Sequence, residues 1–276
     1  MEKRRYALRL AYAGHAFRGF ARQSGLPTVE GALASALAEI GLHTRLDVAA
    51  RTDAGVHAFD QVVSFWAHAD LDPVELRAAV NRLTPPELVC LEARRVAPSF
   101  HARASALTRR YVYLVGTPPP PTLARYAWTL PDARAFPQLA PAAYRLDVGA
   151  MRTALAAALG THDFTGLARP GIHTQNRARS PDATVRTLLC ADVIAAEGAP
   201  LVFLVFEANG FVRAMVRHLA GAAVTVGLGL APPSLMSELL QRRTPYRGVR
   251  APGWGLTLVK VCYPEGTWGA GPRPTR

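Results

Sequence analysis

With 276 residues, the chain is long enough for one large domain or for two of about 130 each. Half of the residues are hydrophobic and 19% are charged, which excludes a disordered or fibrous chain and leaves ample material for a buried core. The formal net charge is +12, and of the 32 basic residues only Lys3 and Lys260 are lysines. Arginine in such excess suits a polyanionic partner, because its planar fork donates two parallel hydrogen bonds to phosphate and keeps its proton. A GC-rich genome, which writes Arg for Lys throughout, accounts for the ratio as well, though less for the net charge.

Cys90, Cys190 and Cys262 are odd in number and scattered, so neither a disulfide framework nor a zinc site is expected. The basic start MEKRRYALRL runs into alternation rather than an apolar segment, which argues against a signal peptide. The longest apolar run, near Leu219 to Ala231, is broken by glycine and too short to span a bilayer. The expected compartment is the cytoplasm.

In chain order, Tyr6, Leu8, Leu10 and Tyr12 alternate with Ala7, Arg9 and Ala11, the period of a half-buried strand. The turn GHAFRGF follows, then a helix opened by Thr28, with Val29, Leu33, Leu37 and Ile40 on one face and Gly41 as its stop. Leu46 to Ala50 and Gln61 to Ala67 read as strands joined by RTDAGVHAFD. Asp72-Pro73-Val74-Glu75 carries the cap, first-turn proline and glutamate of a capping box, and its helix ends before Pro85-Pro86; Val89 to Val96 is the next strand. The second half repeats this order. Tyr111, Tyr113 and Val115 face one way on a strand, a proline-rich insert follows, and Asp147 caps a helix with Met151, Leu155 and Leu159 inward. Strands at Val185 to Ile194 and Leu201 to Ala208 precede a helix from Phe211 to about Val226, a short helix from Ser234 and a last strand at Leu256 to Val261. The expected fold is α+β, two ferredoxin-like β-α-β-β-α-β halves with antiparallel sheets flanking a central cleft. The expected boundaries are 1–105 and 106–263, with 264–276 a disordered tail.

Arg51-Thr52-Asp53-Ala54-Gly55-Val56-His57-Ala58 breaks the patterning around it. If Arg51 to Asp53 is extended, both charged side chains project to one side; alternatively the segment is an ordinary Asx-type turn with Arg51 in solvent. On the helix from Phe211, Arg213 and Arg217 would lie at i and i+4 among apolar residues, so that one arginine either meets a carboxylate or snorkels to water. Arg109-Arg110-Tyr111-Val112-Tyr113 interleaves cations with aromatics, as nucleic-acid surfaces do and as ordinary strand rims also do.

These residues carry a resemblance. RTDAGVHA is similar to the active-site segment of the bacterial tRNA pseudouridine synthase family called TruA. The opening Tyr12-Ala13-Gly14, Gly19-Phe20-Ala21-Arg22-Gln23 and Thr28-Val29-Glu30 resembles the start of that family, with Phe20-Ala21 in place of its usual Trp-Gln. Phe100-His101-Ala102-Arg103, Arg110-Tyr111-Val112-Tyr113, His162-Asp163-Phe164, Phe211-Val212, Met215-Val216-Arg217 and Gly255-Leu256 follow in family order, with Leu167 where a Phe is common. Arg169, Arg177, Arg179 and the insert at 117–121 match nothing residue by residue.

The resemblance implies an isomerase that converts uridine to pseudouridine at positions 38–40 of the anticodon stem-loop, acting as a homodimer without metal or cofactor. It implies Asp53 as the catalytic carboxylate, Arg217 as its cationic partner and Tyr111 as the active-site aromatic. Arg51, Arg110 and Leu256 are further RNA contacts, and His57 carries no assigned role. Burial favours the neutral acid, so a catalytic carboxylate in a dry pocket needs a fixed cation. Two rivals remain: a non-catalytic RNA-binding protein using the same basic cleft, and a base-excising glycosidase. The charge makes a testable prediction. The logarithm of tRNA affinity should fall linearly with the logarithm of salt concentration, and a flat response between about 50 and 200 mM would separate the charge from RNA binding.

Overall fold

Side-chain caps open three helices in the computed structural model of the chain, which describes residues 2–132, 134–138, 145–168, 183–242 and 248–267. Thr28 accepts from Gly31 N–H to open α1 (Val29–Glu39). Asp72 accepts from the N–H groups of Val74 and Glu75 to open α2 (Pro73–Leu83), whose first residue is a proline with no N–H to satisfy. Asp147 accepts from Ala150 N–H to open α3 (Val148–Ala156). The remaining described α-helices are α4 (Met215–Gly227) and α5 (Leu235–Leu240). The described strands are β1 (Arg4–Tyr12), β2 (Asp47–Val48), β3 (His57–Ala67), β4 (Leu88–Val96), β5 (Thr108–Gly116), β6 (Trp128–Thr129), β7 (Gly160–Asp163), β8 (Val185–Ala195), β9 (Leu201–Ala208) and β10 (Leu256–Cys262). The architecture is α+β, and no described helix is long and apolar enough to cross a membrane.

The chain gathers into two compact units, one formed by residues up to Arg109 with those from Thr257 on, the other by Arg110–Leu256. In the first, the strand order is β4-β1-β3-β10, with β2 also beside β3. β1 runs antiparallel to β3 and β4, whereas β10 joins β3 in parallel through Thr257 opposite His57 and Leu258 opposite Ala58. That pairing groups β10, the last described strand, with the beginning of the chain. Alternation puts Tyr6, Leu8 and Leu10 of β1 and Val63 and Phe65 of β3 into a core completed by Val29, Leu33 and Leu37 of α1 and Val80 of α2. Burying each large apolar side chain contributes about 1.5–3 kcal/mol.

In the second unit the order is β5-β9-β8-β7, with β7 and β9 antiparallel to β8 and β6 parallel to β5. Tyr113 and Val115 of β5, Leu204 and Phe206 of β9, Met151 and Leu155 of α3 and Leu219 and Val224 of α4 are buried. α3 packs on α4 and on β8.

Several expectations are corrected. The helix expected from Phe211 begins at Met215, because Ala214 takes a left-handed conformation at φ +66° and breaks the turn. Arg213 therefore precedes the helix, and no i,i+4 pair with Arg217 exists on it. Leu159 is 41% exposed rather than inward, since α3 stops at Ala156 and the chain enters β7 at Gly160. The strand expected at 46–50 is reduced to two residues, and β3 starts four residues early because β10 pairs with His57 and Ala58. The tail from 268 on and the loop bearing Arg169, Arg177 and Arg179 lie outside the described residues.

The segment Val249–Ala251 lies directly on α4. A Cβ on Gly221 would sit 1.6 Å from the Val249 carbonyl oxygen, and Ala251 N–H donates to the Arg217 carbonyl at 3.1 Å. Gly→Ala inside a helix ordinarily stabilises by about 0.5–1 kcal/mol. Here Gly221→Ala should instead cost about 1–3 kcal/mol, as overpacking does, and lower the midpoint of thermal denaturation. An unchanged or raised midpoint would contradict this close approach.

Candidate active site

Asp53 lies in the connection from β2 to β3, and that connection is tied down at successive points. Ala49 N–H donates to the Val62 carbonyl at 2.9 Å, and the Ala49 carbonyl accepts from buried Arg109, whose guanidinium also reaches the Arg103 carbonyl at 2.7 Å and that of Ala106 at 3.0 Å. Gln61, fully buried on β3, accepts from Ala50 N–H at 3.2 Å and donates to the Ala50 carbonyl at 2.6 Å. Those two opposite partners fix which end of the amide is which. Its second proton goes to the Tyr12 hydroxyl at 3.2 Å, which in turn lies 2.7 Å from the Thr52 hydroxyl. Burial pushes the Tyr12 phenol up to about 12, against the pull of Thr52 and Gln61, so it stays a hydroxyl at physiological pH.

Beyond Thr52, Phe20 N–H donates to its carbonyl at 3.0 Å, and Val56 N–H closes a turn onto the Asp53 carbonyl at 3.2 Å. Buried His57 accepts from Gly14 N–H through Nδ1 at 2.9 Å, so the neutral ring carries its proton on Nε2. A Cβ on Gly14 would meet the Val56 carbonyl oxygen at 2.2 Å, which leaves glycine the residue that fits. His57, without a role at the level of sequence, is part of the loop's seat. Within this frame Arg51 is exposed, Thr52 is buried and Asp53 is half-buried, the alternation expected of an extended stretch.

Four other candidates belong to the second unit. Tyr111 is 7% exposed on β5, its ring edge-on to Phe211 with centroids 5.2 Å apart. Arg110, its neighbour, alternates to the opposite face and pairs with Glu207 at 2.6 Å, an exposed ion pair of small energetic weight. Arg217 on α4 donates from Nε to the Ala251 carbonyl at 2.7 Å. Tyr113 donates to the Pro252 carbonyl at 2.9 Å, and burial pushes its phenol well above its ordinary value, with the charge of Arg217 opposing. Leu256, 5% exposed, follows directly at the start of β10. Arg217, Tyr113 and Leu256 are thus linked through one short segment, 251–256.

Asp163 holds a separate polar cluster. Burial pushes its carboxyl up, but hydrogen bonds from the Thr165 and Thr184 hydroxyls and Thr165 N–H, with Arg242 at 2.5 Å, outweigh it and hold it down at about 2. That cluster fastens the start of the segment after β7 to the end of α5.

Gln61 was not singled out by sequence, and Tyr12, Thr52 and Arg109 entered only as members of longer motifs, without roles of their own. One signal existed: Gln61 shares strand parity with Val63 and Phe65, so a polar side chain falls on a core face and demands partners. Gln61→Leu keeps the bulk but strands the Ala50 groups and takes one of two partners from the Tyr12 hydroxyl, which keeps Thr52. It should cost about 2–4 kcal/mol in urea unfolding, and a loss below about 1 kcal/mol would show that the clamp carries little.

A family profile described as tRNA pseudouridine synthase matches residues 154–264. The chain is 38% identical over 274 residues to a tRNA pseudouridine synthase A from Neisseria meningitidis serogroup C (strain 053442), covering 96% of the chain and 94% of that relative. A protein of the same name from Methylacidiphilum infernorum is 36% identical over 264 residues, covering 94% and 95%. One from Chlamydia muridarum is 35% identical over 264 residues, covering 94% and 91%. With that identity sustained over nearly its whole length, the chain belongs to the tRNA pseudouridine synthase A family.

Proposed function

We propose that this enzyme isomerises uridine at positions 38–40 of the tRNA anticodon stem-loop, with Asp53 as the carboxylate that acts on the nucleotide. The observation that supports Asp53 most is the clamped loop: a half-buried carboxylate sits one residue after a side chain held by Tyr12 and three after a backbone unit held by Gln61. Isomerisation breaks the bond from N1 to C1′, turns the uracil and rejoins it through C5. The proton leaving C5 is balanced by one gained at N1, so no electron or group carrier enters the stoichiometry. Asp53 attacks C1′ or C6, or takes the C2′ proton; each role needs an ionised carboxylate held in place.

A stacked uridine must leave the helix before Asp53 reaches it, at a cost of a few kcal/mol. Tyr111 is assigned to stack on the extruded base, which offsets about 1–3 kcal/mol of that cost. Leu256 supplies apolar wall, and Arg51 and Arg110 meet the RNA backbone. Arg217 is assigned, from the family resemblance alone, as the cation that keeps Asp53 ionised. The same resemblance supports a homodimer, action without metal, and a place in the cytoplasm.

The finer fold assignment belongs to this reading. β4-β1-β3 with β2 beside β3, and α1 and α2 in the two crossovers, is the strand order of a ferredoxin-like half. The order β5-β9-β8, with α3 before β8 and α4 after β9, supports the same assignment for the second unit.

The test is to incubate the protein with an unmodified anticodon stem-loop, without added metal or cofactor, and to map pseudouridine by chemical adduct formation. Pseudouridine within positions 38–40 is expected; free uracil would instead indicate a glycosidase. Asp53→Asn should abolish conversion while leaving RNA affinity within a few fold, and residual turnover above about one per cent would move the catalytic role to another group.

A further inference from the structure

Two backbone hydrogen bonds, from Gly55 N–H to the Phe17 carbonyl at 3.4 Å and from Phe20 N–H to the Thr52 carbonyl at 3.0 Å, hold Arg18-Gly19 against Asp53-Ala54. Gly19 makes that approach possible. Its φ is +101°, and a Cβ there would lie 3.1 Å from the Thr52 carbonyl oxygen and 3.2 Å from the Ala54 nitrogen. Arg18 is anchored through its own backbone, its N–H donating to the Pro27 carbonyl at 2.7 Å and its carbonyl accepting from the Gln23 amide at 2.8 Å. Its side chain is exposed.

A second exposed arginine, Arg103, is mounted at the other end of the same loop. The turn 101–105 closes on itself through Ser105 N–H to the His101 carbonyl at 2.9 Å and Arg103 N–H to His101 Nδ1 at 3.1 Å. Ala102 N–H fastens that turn to the Ser64 hydroxyl of β3 at 3.0 Å. Nη2 of Arg109 donates both to the Arg103 carbonyl at 2.7 Å and to the Ala49 carbonyl at 3.2 Å, so the two backbones meet at one nitrogen. Arg51 follows Ala49 by two residues, and all of these residues belong to one compact unit.

In the sheet of that unit, Arg4, Arg5, Arg9 and Arg94 each pair with a carboxylate. Among the described residues, no carboxylate lies within ion-pair distance of Arg18, Arg51 or Arg103, so ion pairing within the fold does not explain them. They raise the positive potential along the loop, where the charge of Asp53 would otherwise repel an approaching polyanion.

We infer that Arg18 and Arg103 bind backbone phosphates of the RNA beside the uridine on which Asp53 acts, one from each end of the loop, with Arg51 between them. The inference rests on the RNA-modifying function proposed above and adds two residues that hold the nucleotide through its backbone. Phosphate contacts fix register and orientation without reading sequence.

The test titrates the whole protein with an anticodon stem-loop RNA at several salt concentrations. Arg18→Met and Arg103→Met should each weaken binding about tenfold and make the slope of log affinity against log salt shallower by about 0.7–0.9, the share of one phosphate contact. Both side chains are exposed, so neither replacement endangers the fold. Conversion at limiting RNA should fall with the affinity. Arg18→Lys and Arg103→Lys keep the charge and should restore the slope. Arg77→Met, which removes an exposed arginine from α2, should leave slope and conversion as they are. An unchanged slope in either methionine variant, a lysine variant with the slope of its methionine counterpart, or an equal loss in Arg77→Met would each overturn the inference. If the wild type itself neither binds nor converts the stem-loop, the functional reading fails; normal conversion with unchanged slopes in the variants defeats the phosphate contacts alone.

Discussion

Gln61 reaches from the core face of β3 to both backbone groups of Ala50 and to the Tyr12 hydroxyl, and none of these groups can be abandoned without stranding polar atoms in a buried place. Each stranded group costs about 1–3 kcal/mol. The connection from β2 to β3 has few apolar side chains of its own with which to hold a conformation. Its order is therefore borrowed from polar side chains rooted in the sheet: Gln61 from β3, Tyr12 from β1 and Arg109 from β5. A carboxylate carried on such a mount loses little freedom on meeting a substrate, which is the economy that catalysis by positioning requires.

The basic excess has two uses. Part of it is structural. Arg109 spends its donors on three backbone carbonyls, Arg5 reaches Asp47 at 2.6 Å and Ser64 at 2.9 Å, and Arg217 holds a carbonyl of the segment that follows. The planar fork suits this work because it satisfies several acceptors at once and does not deprotonate when buried. Other arginines, Arg45, Arg51 and Arg103 among them, are exposed and contribute to the field that a polyanion feels. Net charge alone does not separate these two populations; burial does.

Local physics was legible in the sequence. The caps at Thr28, Asp72 and Asp147 were readable because each involves a side chain and a backbone N–H within three residues. The start of α4 was not, since nothing in an Arg213-Ala214 pair announces a left-handed alanine. Leu159 kept helical spacing with Leu155, yet a short polar strand claimed the following residues. The loop RTDAGVHA stood out through its broken patterning and its family resemblance. The reason it holds its shape was out of reach, because Gln61 and Tyr12 are 49 positions apart and meet only once the sheet has formed.

Native-state hydrogen exchange of the loop amides addresses the central claim most directly, because it reads the mount without reference to activity. If the clamp holds, the Ala49 and Ala50 amides, and the Phe20 amide that donates to the Thr52 carbonyl, should be protected to nearly the same degree as amides in the centre of β3. Exchange at the rate of an open surface loop, with β3 still protected, would contradict the account: the carboxylate would then sit on a mobile connection and have to be ordered by something other than its own protein.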